Sequence, residues 1–205
     1  DESSEVKLHL LVAASHLSSE FGFTFRDIVR DGFSIDSKVE MLLSSDTDSA
    51  VVKSMGLGMI SFADVFSRIR PYILVVAGDR FEALAVAQAA YVMNVPVAHI
   101  GGGEVTGGSL DEGFRHAITK LSKLHFVANA ECAQRVRQLG EAPESIFQVG
   151  PPALESLLTS EIKDLEVVSR EIGFDLTADG FALCTYHSDG VSAEADEGVL
   201  AMLGA

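Results

Sequence analysis

The chain has no tryptophan, only two cysteines and five prolines, and 15 basic side chains against 30 acidic ones in 205 residues. Each shortage removes a class of protein. Cys132 and Cys184 have neither metal-site spacing nor a disulfide framework, so both are expected to be reduced thiols in a cytoplasmic protein. A formal net charge of −15 repels phosphate backbones and anionic lipid, which excludes nucleic acid and membrane surfaces as expected partners. A small anionic ligand stays compatible, since it needs only local arginines and helix N-termini. No uninterrupted apolar run approaches the ~18 residues of a membrane span. The opening DESSEVKLHL lacks the basic-then-apolar order of a signal peptide. Missing too are a G-x-S-x-G elbow, a G-x-x-x-x-G-K-[ST] loop and an H-E-x-x-H pair.

What is present is a hydrophobic content of 47%, enough to bury a sizeable core. Short apolar runs alternate with helical patterns. Strands are expected over Val6–Ala14 and Ser34–Leu43, with a helix over Ser18–Val29. Helical spacing over Asp48–Arg70 is expected to break or bend near the GLG at Gly56–Gly58. Then follow YILVVA (Tyr72–Ala77), a helix over Phe81–Met93, VPVAHI, a helix over Ser109–Lys123, LHFVA, a helix over Glu131–Leu139, and IFQVG. Strands alternating with helices mean crossover units and a mostly parallel sheet covered on both faces, an α/β, Rossmann-like fold. PPALESLL and EIKDLEVVSREIGF leave that sheet as one or two helices. FALCTY then reads as a new strand, followed by a helix over Ser192–Leu203. The expected organisation is a Rossmann-like domain over 1–170, lacking its first strand and ending in a linking helix, and the truncated start of a second over 175–205.

In open parallel sheets ligands bind beyond the carboxyl ends of the strands. Asp79 and Arg80 stand there after YILVVA, His99–Glu104 after VPVAHI, and His187 after FALCTY. Each has a plainer role available. Asp79 fits a cap for the next helix, and His99 fits a satisfied core histidine. Glu112 completes an S-x-x-E capping box with Ser109, which leaves cap and catalyst evenly balanced. Glu112 with His116, and Asp111 with Arg115, stand one helical turn apart. Gly101, Gly102 and Gly103 exceed what a turn needs, which points to close approach of a ligand or another loop to the backbone. Glu104, in that glycine loop, has no structural duty. His99 and Glu104 alone make a weak metal site. What remains is acid–base chemistry on an anionic small molecule.

AGDRFEALAVAQAAYVMNVPVAHIGGGEVTGGSLDEGFRHAITKLSKLHFVAN resembles the hydrolysing UDP-N-acetylglucosamine 2-epimerases of sialic-acid, legionaminic-acid and related sugar pathways. The resemblance extends weakly back to SHLSSEFGFTFRDI and forward to YHSDG. It implies a glycosyltransferase-B architecture, two Rossmann-like domains flanking a cleft. It also implies elimination of UDP from UDP-N-acetylglucosamine to a 2-acetamidoglucal, then hydration with inversion at C2 to N-acetylmannosamine, without nicotinamide or metal. Under it Asp79, Glu104, Glu112 and His187 are the catalytic candidates. Arg80, Gly102, Gly103, Asp111, Arg115 and His116 are the substrate contacts. The chain departs from many relatives at Gly101, where they have glutamate. Two alternatives stand beside this reading: the same chemistry on a UDP-diacetamido-trideoxyhexose of bacterial surface glycans, and a non-catalytic nucleotide-sugar-binding module. A homodimer or higher homo-oligomer is expected.

Overall fold

A computed structural model describes residues 6–45, 47–177, 180–185 and 204. The chain divides into two compact units, one formed by Asp1–Thr106 and Leu110–Val149, the other by Gly107–Ser109 and Gly150–Ala205.

The first unit begins with β1 (Leu11–Ala13), a short 3-10 turn, α1 (Phe25–Arg30) and β2 (Ser37–Val39). Then come α2 (Asp48–Ile69), β3 (Leu74–Ala77), α3 (Phe81–Val92) and β4 (Val97–Ile100). α4 (Leu110–Leu121), β5 (Leu124–Val127), α5 (Ala130–Gln138) and β6 (Ile146–Gln148) complete it. All strand pairs are parallel, but the sheet comes in two pieces, β1–β2 and β3–β4–β5–β6. One core nevertheless serves both pieces: Val39 and Met41 from the first share it with Val76, Val97, Phe62, Phe66 and Leu84. At the outer edge of β3, Val75 is 58% exposed, unusual for a strand in a parallel sheet.

Small side chains decide how closely the helices pack. Ala85, Ala87 and Ala90 of α3 are wholly buried, which lets α2 and α4 lie close against it. Thr47 caps α2 by accepting the Ala50 N–H at 3.3 Å, and Arg70 ends it in the left-handed region just before Pro71. The break expected at Gly56–Gly58 does not occur, and α2 runs unbroken for 22 residues. Gly58 faces inward, where a Cβ would meet the Met41 side chain at 2.6 Å, so its smallness serves packing. α2 is the one helix among the described residues long and apolar enough to cross a membrane, and its inner face forms part of the core.

Two further expectations are corrected at the N-terminal end. The first strand shrinks from Val6–Ala14 to three residues, and Val6 and Leu8 are exposed. The helix expected from Ser18 begins only at Phe25, because Gly22 and Phe23 hold φ of 79° and 51° and turn the chain out of helical geometry.

The second unit holds α6 (Pro152–Thr159) and α7 (Leu165–Ile172), the latter closed by Gly173 at φ 70°. Residues 181–185 carry no regular structure, so the FALCTY strand is not formed over that stretch. Tyr186, His187 and the helix expected over Ser192–Leu203 lie outside the described residues.

Candidate active site

Ala77 and Ile100 are register partners, so β3 and β4 end at one level. Asp79–Arg80 and the glycine loop from Gly101 to Thr106 therefore leave the sheet side by side. Across them lies the first half of α4, and from it one side chain organises the rim.

That side chain is Arg115, only 4% exposed. Its Nε donates to Asp79 Oδ2 at 2.8 Å, and Nη2 donates to the same oxygen. Nη1 donates to the Glu104 carbonyl at 2.8 Å, and Nη2 also to Thr106 Oγ1 at 2.9 Å. One buried guanidinium thus fixes a carboxylate from the β3 end and the backbone of the loop after β4. A planar fork does this where an ammonium could not. The paired charges share the burial, and Asp79 keeps a quarter of its side-chain surface in water.

Asp79 is consequently no helix cap. Arg80 occupies the N-cap position of α3, with no side-chain capping bond. The Arg80 side chain is itself more than half exposed, 3.8 Å from Glu82 Oε1 and open to an anion. The Glu104 carboxylate is exposed and, among the described residues, unpaired. Glu112 reaches back along the loop, its Oε2 accepting the Thr106 N–H at 3.0 Å while Oε1 lies 3.8 Å from His116 Nε2. His116 Nδ1 is buried without a hydrogen-bond partner, as is Glu82 Oε2 in the first turn of α3. Asp111 stands in the first turn of α4.

His99 proves to be the satisfied core histidine. Wholly buried, it bonds through Nε2 to the Gly78 carbonyl at 3.1 Å and through Nδ1 to Thr119 Oγ1 at 3.2 Å. Because Gly78 O can only accept, Nε2 carries the proton and the neutral ring leaves Nδ1 as an acceptor. Burial lowers its pKa from 6.5 to about 4. The ring therefore stays neutral at physiological pH and ties the β3 turn to α4.

The three glycines have separate reasons. A Cβ on Gly102 would stand 3.0 Å from Thr119 Oγ1 and 3.2 Å from His99 Nδ1. On Gly103, at φ 83°, it would stand 2.4 Å from the carbonyl oxygen of Cys132 in α5. Gly101 meets nothing within 4 Å but holds φ 91°. The close approach foreseen at this loop is thus made, at Gly103, by another stretch of backbone. Arg135 of the same helix secures the seat by donating to Gly103 O at 2.9 Å.

Thr106, Thr119 and Arg135 escape sequence reasoning. Their partners lie on other elements, and only the GGEVT run around Thr106 carried a signal. A surface hollow of about 260 Å³ is lined by Lys7, His9, Asp36, Arg68 and Ile69, and neither Asp79 nor Glu104 belongs to it. The acid rim is an open edge, so shape alone would miss it, whereas its chemistry does not.

A parallel α/β unit with carboxylates and an exposed arginine at its carboxyl edge has its polar side chains where open parallel sheets bind small ligands. The chain belongs to the UDP-N-acetylglucosamine 2-epimerase family, whose match covers residues 1–204. It is 35% identical over 187 residues to the GDP/UDP-N,N'-diacetylbacillosamine 2-epimerase (hydrolyzing) of Campylobacter jejuni, covering 89% of this chain and 47% of that protein. With the UDP-N,N'-diacetylbacillosamine 2-epimerase (hydrolyzing) of Legionella pneumophila it shares 38% over 174 residues, 85% of this chain and 46% of the relative. The chain thus spans about half the length of these relatives. The crystal structure of UDP-GlcNAc 2-epimerase from Neisseria meningitidis bound to UDP-GlcNAc superposes with a TM-score of 0.67 at 16% identity, over 83% of this chain and 46% of that one. That likeness establishes the fold, a Rossmann-like half of a glycosyltransferase-B architecture.

Proposed function

We propose that this chain supplies the acid–base wall of a hydrolysing 2-epimerase acting on a UDP-linked 2-acetamido sugar. The observation that carries the reading is the Arg115 fork, which holds Asp79 and the Glu104 loop on one rim. In the first step a carboxylate removes the C2 proton and the C1–O bond to UDP breaks, leaving a 2-acetamidoglucal. Water then adds across the double bond, hydroxyl to C1 and a proton to the opposite face of C2. The sum is UDP-sugar plus water giving UDP and the free epimer.

Asp79, oriented through Oδ2, presents its other oxygen for proton transfer. Glu104 is the free carboxylate of the loop. A side chain at Gly101 would be strained at φ 91°, so Glu104 takes the acid–base work there. Arg80 meets the diphosphate, with Gly102 and Gly103 under the sugar. Glu112, Asp111 and His116 border it from α4. His187 keeps the leaving-group role that the resemblance gives it and lies outside the described residues. We place the enzyme in the cytoplasm, in keeping with two cysteines that form no disulfide framework.

The relatives at 35% and 38% identity are named for N,N'-diacetylbacillosamine, whereas a UDP-N-acetylglucosamine 2-epimerase from Neisseria meningitidis shares 30%. The first two names support a diacetamido-trideoxyhexose as a substrate to be tested beside UDP-N-acetylglucosamine, the sugar first expected. Incubating the protein with each UDP-sugar in heavy water tests both readings. UDP release with deuterium at C2 of the free sugar is expected, and Asp79→Asn and Glu104→Gln should each lower turnover by ~10²–10⁴-fold with the fold retained. Unlabelled product would overturn the elimination route. No product from any UDP-sugar would leave the nucleotide-sugar-binding module as the better account.

A further inference from the structure

We propose that the hollow where β1 and β2 begin is an anion site that takes a small phosphoryl group. It measures about 260 Å³ and is lined by Lys7, His9, Asp36, Arg68 and Ile69. That space suits a phosphate ion or the end of a phosphate ester, and falls short of the ~300 Å³ at which sites for larger ligands begin. Lys7 and His9 precede β1 by a few residues, and their two-residue spacing sets both side chains on one side of an extended chain. Asp36 stands immediately before β2, and Arg68 and Ile69 end α2. Open parallel sheets ordinarily bind ligands at the other, carboxyl ends of their strands, so this is a second site, independent of the acid rim.

The occupant follows from which polar groups of the lining are already bonded. Asp36 is its one acid, and both carboxylate oxygens are engaged: Oδ1 with His9 Nδ1 at 2.9 Å, Oδ2 with the Leu10 N–H at 2.9 Å. The Asp36 N–H donates in turn to the Leu10 carbonyl at 2.9 Å, which locks the two strand starts together. The His9 ring is thus held by one nitrogen, and its Nε2 is free. Arg68 gives Nη2 to Ser37 Oγ and keeps the rest of its fork unbonded. Lys7 has no hydrogen bond or ion pair among the described residues. What is left over is an ammonium, most of a guanidinium and an imidazole nitrogen, around a carboxylate that has nothing more to give. In a chain of net charge −15, a hollow where cations outnumber acids is a local reversal of sign. An ammonium beside a guanidinium is a common phosphate-binding pair, whereas a planar carboxylate would be matched by the fork alone.

Amide NMR spectra of the 205-residue chain, recorded as inorganic phosphate replaces chloride at constant ionic strength, test this. The Leu10, Ser37 and Ile69 signals should shift saturably, with half-saturation at ~1 mM or below. Lys7→Glu should weaken binding about tenfold or more, because it reverses a charge at the site. Lys53→Glu makes the same charge change at an exposed position outside the hollow and should leave binding within about twofold. Phosphate should also raise the melting temperature of the wild type and not that of Lys7→Glu, since a ligand of the folded state stabilises it. Both substitutions fall on exposed side chains, so circular dichroism should show folded protein. Glycerol 3-phosphate tells the two sources apart: a site for phosphate esters binds it more tightly than inorganic phosphate, and a site for the free ion less tightly. No saturable shift by ~50 mM phosphate overturns the proposal, as do shifts confined to Arg80 and the acid rim. Equal weakening by Lys7→Glu and Lys53→Glu also overturns it, because that would be screening of the whole chain. Acetate binding as tightly as phosphate overturns the phosphoryl assignment.

Discussion

His99 and His125 are register partners on adjacent parallel strands, both wholly buried, yet their surroundings are opposites. Around His99 the polar accounts close: both ring nitrogens are bonded, and every contact leads toward the acid rim. Around His125 they do not. Its Nε2 lies 3.3 Å from Glu141 Oε2, but neither nitrogen makes a hydrogen bond, and Glu141 spends its other oxygen on Lys120 at 2.5 Å. Burial lowers the pKa of both rings, with nearby Glu141 pulling the other way at His125. A satisfied buried network holds geometry, whereas an unsatisfied one only costs stability. The His99 ties behind the acid-bearing edge are built in the first manner.

The sharpest break in this contrast is Arg115→Met. It strips Asp79 and the Glu104 loop of their common donor and leaves a half-buried carboxylate unpaired. A loss of about 3–4 kcal/mol in unfolding free energy is expected, from the cost of breaking a buried ion pair. Urea denaturation measures it, and a loss below half a kilocalorie would mean that the rim is held by something else.

Acid should come next. His99 titrates at about 4 in the fold against 6.5 as a free side chain, so its neutral ring stabilises the protein above 6.5. That contribution is lost as pH falls from 6.5 through about 4, up to about 3 kcal/mol. His99→Gln should flatten the corresponding slope in denaturation midpoints between pH 7 and 4. An unchanged slope would assign the acid sensitivity to other groups.

Gly103→Ala should cost about 2 kcal/mol, because it adds a left-handed strain to a collision with the Cys132 carbonyl. Gly101→Ala has only the strain and should cost about half as much. Thermal denaturation of the pair tests the order, and equal losses would remove the collision as a cause. Smallest of all is His125→Leu. Removing a ring whose nitrogens have no hydrogen bonds should change stability by less than about 1 kcal/mol. A large loss would show that Glu141 depends on that ring.

The crossover units from β3 to β6 were legible because continuous apolar runs and helical spacing coincide there with buried positions. Strand and helix limits at Leu74–Ala77 and Phe81–Val92 lie within two residues of the expected ones. The first thirty residues were not so legible. The apolar run from Val6 to Ala14 reads as a strand, but only three residues find a partner in β2. At Gly56–Gly58 propensity argued for a bend and packing against Met41 overruled it. In the site, residue types and the shared edge could be read, but the pairing could not. Helical spacing joins Arg115 to Asp111, whereas the fold gives Arg115 to Asp79, 36 residues away. Partners that far apart are chosen by tertiary contact, to which local periodicity is blind.

The glycine loop is pinned along its whole length: the Gly101 N–H bonds Phe126 O, Gly103 O accepts Arg135, Glu104 O accepts Arg115, and the Thr106 N–H meets Glu112. A segment anchored at four of six residues behaves in time like a strand. Its bonded amides at Gly101 and Thr106 should exchange with solvent far more slowly than those of ordinary surface turns. It is a fixed anvil, so any motion that admits a ligand to this edge belongs to other parts of the protein.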